Sequence, residues 1–361
     1  MTPMWRARRH RFALEIRQHL SWQRQAIILG LAILAGVGIS AVILMAAGVA
    51  ATDLLNEFVI QTFFDAQNIQ AVLFQAAPMI MIGLAAALAF RVRFWNLGLE
   101  GQMIWGAIGA TAVSILEIGP ESTRLALMFA TAAIAGLVWA LGPALLKLRL
   151  GVNEIISTLM LNYVASNFLL HMLYGAWKDP QSAFPHSPQF RAFERLPEIA
   201  AGFSSAIIIG LVVAGAVWWL TDVSRAGLYM RFVYANRRMA EAVGVSVKHV
   251  MLSAVLVSGA LGGVAGFVVA AGQEGRLTQG FFQGYGFSGI LIAFLARNHP
   301  LAAAIVAVLV AGLFVTGRTL QVFYQIPFAM VQLIQAIIVI CVAASEFFIR
   351  HRVHRVVVEG V

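Results

Sequence analysis

Charge is what this sequence has least of. Only 11% of its 361 residues are Asp, Glu, Lys or Arg, less than half the ~25% usual in soluble domains. So few charges cannot clothe a water-facing surface, and 60% of the residues are hydrophobic, with 32 glycines besides. A single core stops growing near ~250–300 residues, so the apolar excess excludes a soluble enzyme, and it equally excludes a disordered chain. Cysteine occurs once, as Cys341, which excludes an intrachain disulfide scaffold. Lysine occurs only at Lys147, Lys178 and Lys248, preceded by Leu146, Trp177 and Val247. A phosphate-binding loop places glycine before its lysine, so no nucleotide-hydrolysing P-loop is present. The HExxH and Cys/His ligand spacings are also missing, and the eight histidines are scattered. No catalytic residue, metal or cofactor is expected. What remains is an all-α, polytopic integral membrane protein.

A helix needs ~20 apolar residues to cross a bilayer. Runs of that kind lie near 26–51, 70–90, 124–146, 154–174, 203–221, 249–272, 300–317 and 326–348. Two weaker runs, 99–117 and 286–296, bring the expectation to about ten transmembrane helices, some of them discontinuous. The first run exceeds the ~7–15 residues of a signal-peptide core, so it reads as a retained span behind a basic tail, residues 1–24. The membrane domain then covers 25–348, and 349–361 form a second basic tail.

The formal charge of +9 is first a topology signal. Arg91 and Arg93, Lys147 and Arg149, and the 222–248 loop with Arg225, Arg231, Arg237, Arg238 and Lys248 alternate with segments that carry little positive charge. Those intervening segments hold Asp53, Glu57 and Asp65, then Glu117 and Glu121, then the charge-balanced loop 175–201. By the positive-inside rule, both termini and the 222–248 loop face the cytoplasm, and 175–201 is extracytoplasmic.

Two stretches break the pattern of plain spans. FWNLGLEGQMIWG (94–106) places Asn96, Gly98, Glu100, Gly101 and Gln102 at the mouth of an apolar run. GQEGRLTQGFFQGYGFSGILIAFLARN (272–298) is rich in glycine and then has too short an apolar run for a full crossing. Irregular backbone survives at membrane depth only inside protein or along a watery path. Glu100 and Glu154 are the carboxylates nearest to embedded sequence. Each admits two readings, a functional intramembrane charge or an acid in the first turn of a helix, where Asn153 would cap Glu154's helix. His171 reads as a packed or interface histidine. Gly262 and Gly266 form a GxxxG pair that packs helices closely, within the subunit or against a second one. In the cytoplasmic stretch RFVYANRRMAEAVGV (231–245), Met239, Ala242 and Val243 fall at i, i+3 and i+4, and Gly244 supplies a stop. This is a short amphipathic helix, either a solvated basic segment beside lipid headgroups or a docking helix for a partner.

Three motifs carry a family resemblance. FWNLGLEGQ (Phe94–Gln102), GVNEIISTLMLNYVA (Gly151–Ala165) and LTQGFFQGYGFSGILIAFLARNHP (Leu277–Pro300), in this order, resemble the permease subunits of ABC importers of the ribose and branched-chain amino acid type. The similarity is strongest to the nucleoside and simple-sugar branch, which works with a basic-membrane-lipoprotein type of binding protein. The resemblance implies a permease without an ATPase site of its own, in a bacterial plasma (inner) membrane. It implies cytoplasmic ATPase partners, a second homologous permease as a heterodimer, an extracytoplasmic binding lipoprotein, contact with membrane lipid and no nucleic acid. It maps Arg231, Asn236, Ala240, Glu241 and Gly244 onto the ATPase-coupling loop, with Tyr234 where glycine is common and Arg237 where proline is common. It makes Phe94, Asn96, Glu100, Gln102, Asn162, Gln273, Gln283 and Tyr285 candidates to line the pathway for a nucleoside or simple sugar. The rival reading is an ion-coupled secondary carrier of a small polar solute that uses Glu100 and Glu154.

Overall fold

The computed structural model describes residues 9–16, 20–55, 65–199, 203–282 and 284–358. Gln283, one of the expected pathway residues, lies outside them. In chain order the elements are β1 (Arg9–Ile16), α1 (Trp22–Ala46), α2 (Ala51–Leu55), α3 (Ala66–Phe90), α4 (Leu99–Ile115), α5 (Glu121–Leu150) and α6 (Glu154–Tyr174). Then follow α7 (Ala206–Trp218, continued by a π-helical turn, Trp219–Val223), α8 (Arg225–Ala235), α9 (Arg237–Ala242) and α10 (Val247–Phe267, continued by a π-helical stretch, Val268–Glu274). The last are α11 (Tyr285–Leu295), α12 (Pro300–Tyr324), α13 (Phe328–Arg350) and β2 (His351–Val358).

Eight described helices are long and apolar enough to cross a membrane. The two weaker apolar runs are helical as well, as the 17-residue α4 and the 11-residue α11. At 1.5 Å per residue α11 spans roughly 16 Å, about half of a ~30 Å hydrocarbon layer. It is a half-helix, as its glycine-rich approach implied. Local chemistry sets the ends. Asn153 caps α6 by accepting from the Ile155 N–H at 2.9 Å. Gly151, at φ +68°, ends α5 in the left-handed conformation that glycine adopts without strain.

The chain divides into two compact units, Met1–Asn56 with Leu320–Val361, and Glu57–Thr319. In the first, α1 packs along α13, and an ideal Cβ on Gly36 would lie 3.0 Å from Ile338 Cα. β1 and β2 pair antiparallel, from Arg9 opposite Val358 to Ile16 opposite His351. The sequence reading treated both ends as plain tails. The alternating FALEI and the β-branched RVVV instead suit a strand pair, which sets residues 9–16 beside residues 351–358.

In the second unit, α4, α5 and α10 approach to backbone contact. An ideal Cβ on Gly263 would sit 2.1 Å from the Ala132 carbonyl oxygen, and one on Gly106 would sit 2.2 Å from that of Gly263. One on Gly136 would be 2.3 Å from the Gly259 oxygen, and one on Gly266 would be 2.0 Å from the Met103 oxygen. No side chain fits at these crossings. The GxxxG of α10 is therefore used inside the subunit: Gly266 meets α4 backbone, and Gly262 meets the Gln102 side chain of α4. On the far side of α10 lies α3, and α11 leans on α3 through Gly83 against Ile292 and Gly289 against Ile82.

Replacing Gly263 with alanine should therefore lower stability by about 2–3 kcal/mol or more through overpacking. Gly215→Ala in α7, where a Cβ meets nothing within 4 Å, should be neutral or stabilise by about 0.5–1 kcal/mol. Thermal unfolding of the two variants in detergent, followed by size-exclusion chromatography, checks the contrast.

Candidate functional site

The irregular segment between α3 and α4 is held by an amide lattice. Asn96 and Gln102, both fully buried, exchange hydrogen bonds: Asn96 Nδ2 donates to Gln102 Oε1 at 3.2 Å, and Gln102 Nε2 returns one to Asn96 Oδ1 at 3.1 Å. Asn96 also donates to Ser258 Oγ at 3.1 Å and accepts from the Gly98 N–H at 3.1 Å. Ser258 passes its own proton to the Ala85 carbonyl at 2.6 Å. From α6, Asn162 accepts from the Gly101 N–H and donates to the Leu97 carbonyl, both at 2.8 Å. Thr158 accepts from the Leu97 N–H at 3.2 Å. Backbone groups that helix geometry leaves unpaired at this break are thus paired by side chains, as a non-aqueous interior demands. Phe94 is buried in an apolar cluster with Leu88, Val92, Ala140, Met230, Ala240 and Val255. Four of the expected pathway residues, Phe94, Asn96, Gln102 and Asn162, therefore meet protein partners here.

A second polar cluster gathers where α11 begins. Gln75 of α3 donates to the Tyr285 hydroxyl at 2.8 Å, and that hydroxyl donates to Gln273 Oε1 at 2.9 Å. Gln273 Nε2 donates in turn to the Phe74 carbonyl at 3.0 Å. Tyr285 stacks on Phe314, with ring centroids 6.1 Å apart. The Glu100 side chain lies against Gly286 in the first turn of α11, the end of the half-helix that favours a negative group. Gly286 is needed for that approach, because an ideal Cβ there would lie 2.5 Å from Glu100 Cγ. Tyr285 and Gln273 are thus bonded to one another, and Glu100 meets the same first turn of α11 at Gly286. Gln75 was missed in the sequence, although a glutamine inside the apolar 66–90 run was the available signal. Glu154 stands elsewhere, in the first turn of α6, and pairs with Lys147 Nζ at 2.6 Å.

On the expected extracytoplasmic side, the 175–199 segment folds onto the helix ends. The buried Arg124–Glu194 pair (3.2 Å) is joined by Ser114 Oγ, which donates to Glu194 at 2.8 Å. Ser187 and Leu277 exchange backbone and side-chain bonds (3.0 and 2.9 Å), and the Phe190 N–H donates to the Gly275 carbonyl at 2.8 Å. This segment is thus tied to the stretch that leads into α11.

At the opposite end, Asn236 caps α9: its Oδ1 accepts from the Arg238 and Met239 N–H groups at 3.1 and 3.2 Å. Gly244, at φ +85°, terminates the turn that follows. Ala240 is 2% exposed and belongs to the same apolar cluster as Phe94, whereas Met239 and Val243 are 67% and 63% exposed. Glu241 is exposed, and Arg231 pairs with Asp222 at 2.8 Å. The short helix is rooted in the core by one residue and presents an uncovered apolar pair.

Residues 68–343 match the model of the family described as the permease component of the branched-chain amino acid transport system. The chain belongs to this family. It is 32% identical to a glucose ABC transporter permease protein of Haloferax volcanii, over 90% of this chain and 88% of that one. It is 30% identical to a guanosine ABC transporter permease protein of Bacillus subtilis, over 87% of this chain and 92% of that one. A second guanosine ABC transporter permease protein of the same bacterium is 26% identical, over 72% of this chain and 85% of that one. The family match spans every helix from α3 to α12 and most of α13.

Asn96→Ala in the permease should leave the Gln102 amide and the Gly98 N–H without partners. Each buried polar group so orphaned costs ~1–3 kcal/mol. The expected outcome is a lower thermal midpoint in detergent, with the helical content of the folded state unchanged by circular dichroism.

Proposed function

We propose that this permease subunit forms the translocation pathway of an ATP-driven importer for a nucleoside or simple sugar. Family membership carries the reading, and glucose and guanosine permeases that match about nine-tenths of the chain support the substrate class. The Gln75–Tyr285–Gln273 chain and Glu100 supply donors and acceptors suited to a neutral hydroxyl-rich solute, in a setting of few polar groups among apolar ones. Tyr285 is 1% exposed and stacked on Phe314, so its ring meets a solute when the half-helix moves. Phe94, Asn96, Gln102 and Asn162 act one layer behind, holding the α3–α4 segment against which the half-helix works.

ATP hydrolysis belongs to separate cytoplasmic subunits that dock on α9. Met239 and Val243 are the apolar contact, Glu241 and the neighbouring arginines set polarity, and Asn236 and Gly244 fix the shape of the helix. Ala240 transmits movement to the apolar cluster around Phe94. An extracytoplasmic binding lipoprotein delivers solute near the 175–199 segment. Two different guanosine permeases from one bacterium match this chain, which favours a heterodimer with a second, homologous permease. Both termini lie in the cytoplasm and the complex sits in the plasma (inner) membrane, as the basic segments and the positive-inside rule indicate.

Reconstituted with its ATPase, second permease and binding protein, the subunit should take up radiolabelled guanosine or glucose only when ATP is supplied. Uptake by the isolated subunit on an ion gradient alone would overturn the assignment. Met239→Glu with Val243→Glu should weaken retention of the ATPase by ~10-fold or more, since each substitution removes a buried apolar contact of ~1.5–3 kcal/mol. Co-purification measures this directly, and membrane accumulation of the permease should be unchanged.

A further inference from the structure

The cytoplasmic end of the larger unit holds a charged junction in which Arg91 and Asp222 have no role so far. Arg91, in the turn after α3, divides its guanidinium among two neighbouring segments. Nε donates to the Asn298 carbonyl at 2.9 Å, Nη1 to the Thr221 carbonyl at 3.2 Å, and Nη2 to the Asp222 carboxylate at 3.2 Å. The second carboxylate oxygen of Asp222 accepts from Arg231 of α8 at 2.8 Å. Thr221 Oγ1 lies 2.9 Å from both the Asp222 carboxylate and the Val217 carbonyl, and its one proton can serve either. One arginine and one aspartate thus join the end of α3, the end of α7, the helix that precedes α9, and the turn that closes the half-helix α11.

Three further observations place this junction under constraint. Arg93 and Arg297 hold positive φ angles of 55° and 51°, uncommon for residues with a long side chain, and Asn298 beside them at 58° is of a type that tolerates this region. The Arg91 and Asp222 side chains are 16% and 20% exposed, so salt screens them less than an open surface pair. The two positions that depart from the family pattern, Tyr234 and Arg237, reach the same turn. Arg93 lies 5.3 Å over the Tyr234 ring, and Arg237 Nη2 approaches the Val92 and Arg93 carbonyls at 3.4 and 3.5 Å.

We propose that Arg91 and Asp222 form a transmission clamp, two positioning residues through which displacement of α8–α9 reaches the 297–299 turn and moves α11. The clamp rests on the reading of α9 as the ATPase dock and adds a route to the half-helix distinct from the apolar one through Ala240. It depends on directional bonds as well as charge. A planar fork can serve three acceptors at once, whereas a lysine is a point charge on a flexible stem.

The test uses the whole importer in proteoliposomes, with Arg91→Lys and Asp222→Asn. ATPase subunits should co-purify as with the unaltered chain and ATP hydrolysis should continue, while solute moved per ATP falls ~10-fold, as expected for losing a charge-assisted bond. In the unaltered importer, hydrogen exchange of the 296–299 amides should change several-fold between the nucleotide-free state and a non-hydrolysable ATP analogue, and Asp222→Asn should abolish that response. Unchanged transport per ATP in both variants overturns the clamp. So does exchange at 296–299 that ignores nucleotide in the unaltered protein, a measurement that decides the matter even where a variant does not accumulate. Failure of the ATPase to co-purify with the unaltered chain would instead sink the docking reading.

Discussion

The packing of α4, α5 and α10 at backbone contact is the constraint on which the rest of this molecule depends. In a bilayer the hydrophobic effect gives helices no reason to associate with one another rather than with lipid, so close van der Waals contact must hold them together. Glycines at 106, 136, 259, 263 and 266 make that contact possible, and at each of them an added Cβ would fall within 3 Å of neighbouring backbone or side-chain atoms. The three helices form a stiff base. Elements that are short, broken or strained can be hung on it without melting the core.

Two such elements follow, and both are stabilised by polar groups placed with economy. The segment before α4 crosses apolar surroundings without helical hydrogen bonds, which is tolerable because Asn96, Gln102, Asn162 and Thr158 replace them. The start of α11 has N–H groups that its own helix leaves unpaired, and the Glu100 carboxylate lies against that turn at Gly286. In each case the side chain and the backbone need one another, since either left alone in an apolar medium is costly. The same reasoning accounts for the low charge of the chain. Among the described residues, the inward-facing charged groups at the helix ends have named partners: Arg124 with Glu194, Lys147 with Glu154, and Arg91 with Asp222.

Features that are local in sequence were legible before any coordinates. The apolar runs gave the spans, and the shortness of 286–296 announced a half-helix. Asn153 and Asn236 stood where caps belong, and Gly244 where a helix stops. What was hidden is non-local. Gln75 and Tyr285 are 210 residues apart, and Arg91 and Asp222 are 131 apart, and no periodicity connects them. The amides of Asn96 and Gln102 looked like groups awaiting a solute because sequence shows donors and acceptors but not their partners. The pairing of β1 with β2 joins the two extremes of the chain and was invisible for the same reason, although each strand had the composition to form it.

The departures from the family pattern become intelligible once the 91–93 turn is seen as a junction. A proline at the first turn of α9 would preset the backbone through its fixed φ. Arg237 gives that up, but Asn236 still caps the helix and the guanidinium reaches back to the α3–α4 turn. A glycine at position 234 would leave the Arg93 guanidinium without its aromatic partner, and Tyr234 provides a face for it. Both changes replace local backbone stiffness with longer-range contacts to one turn. What stiffness these side chains supply lies at the joint between α9 and the core rather than within α9 itself.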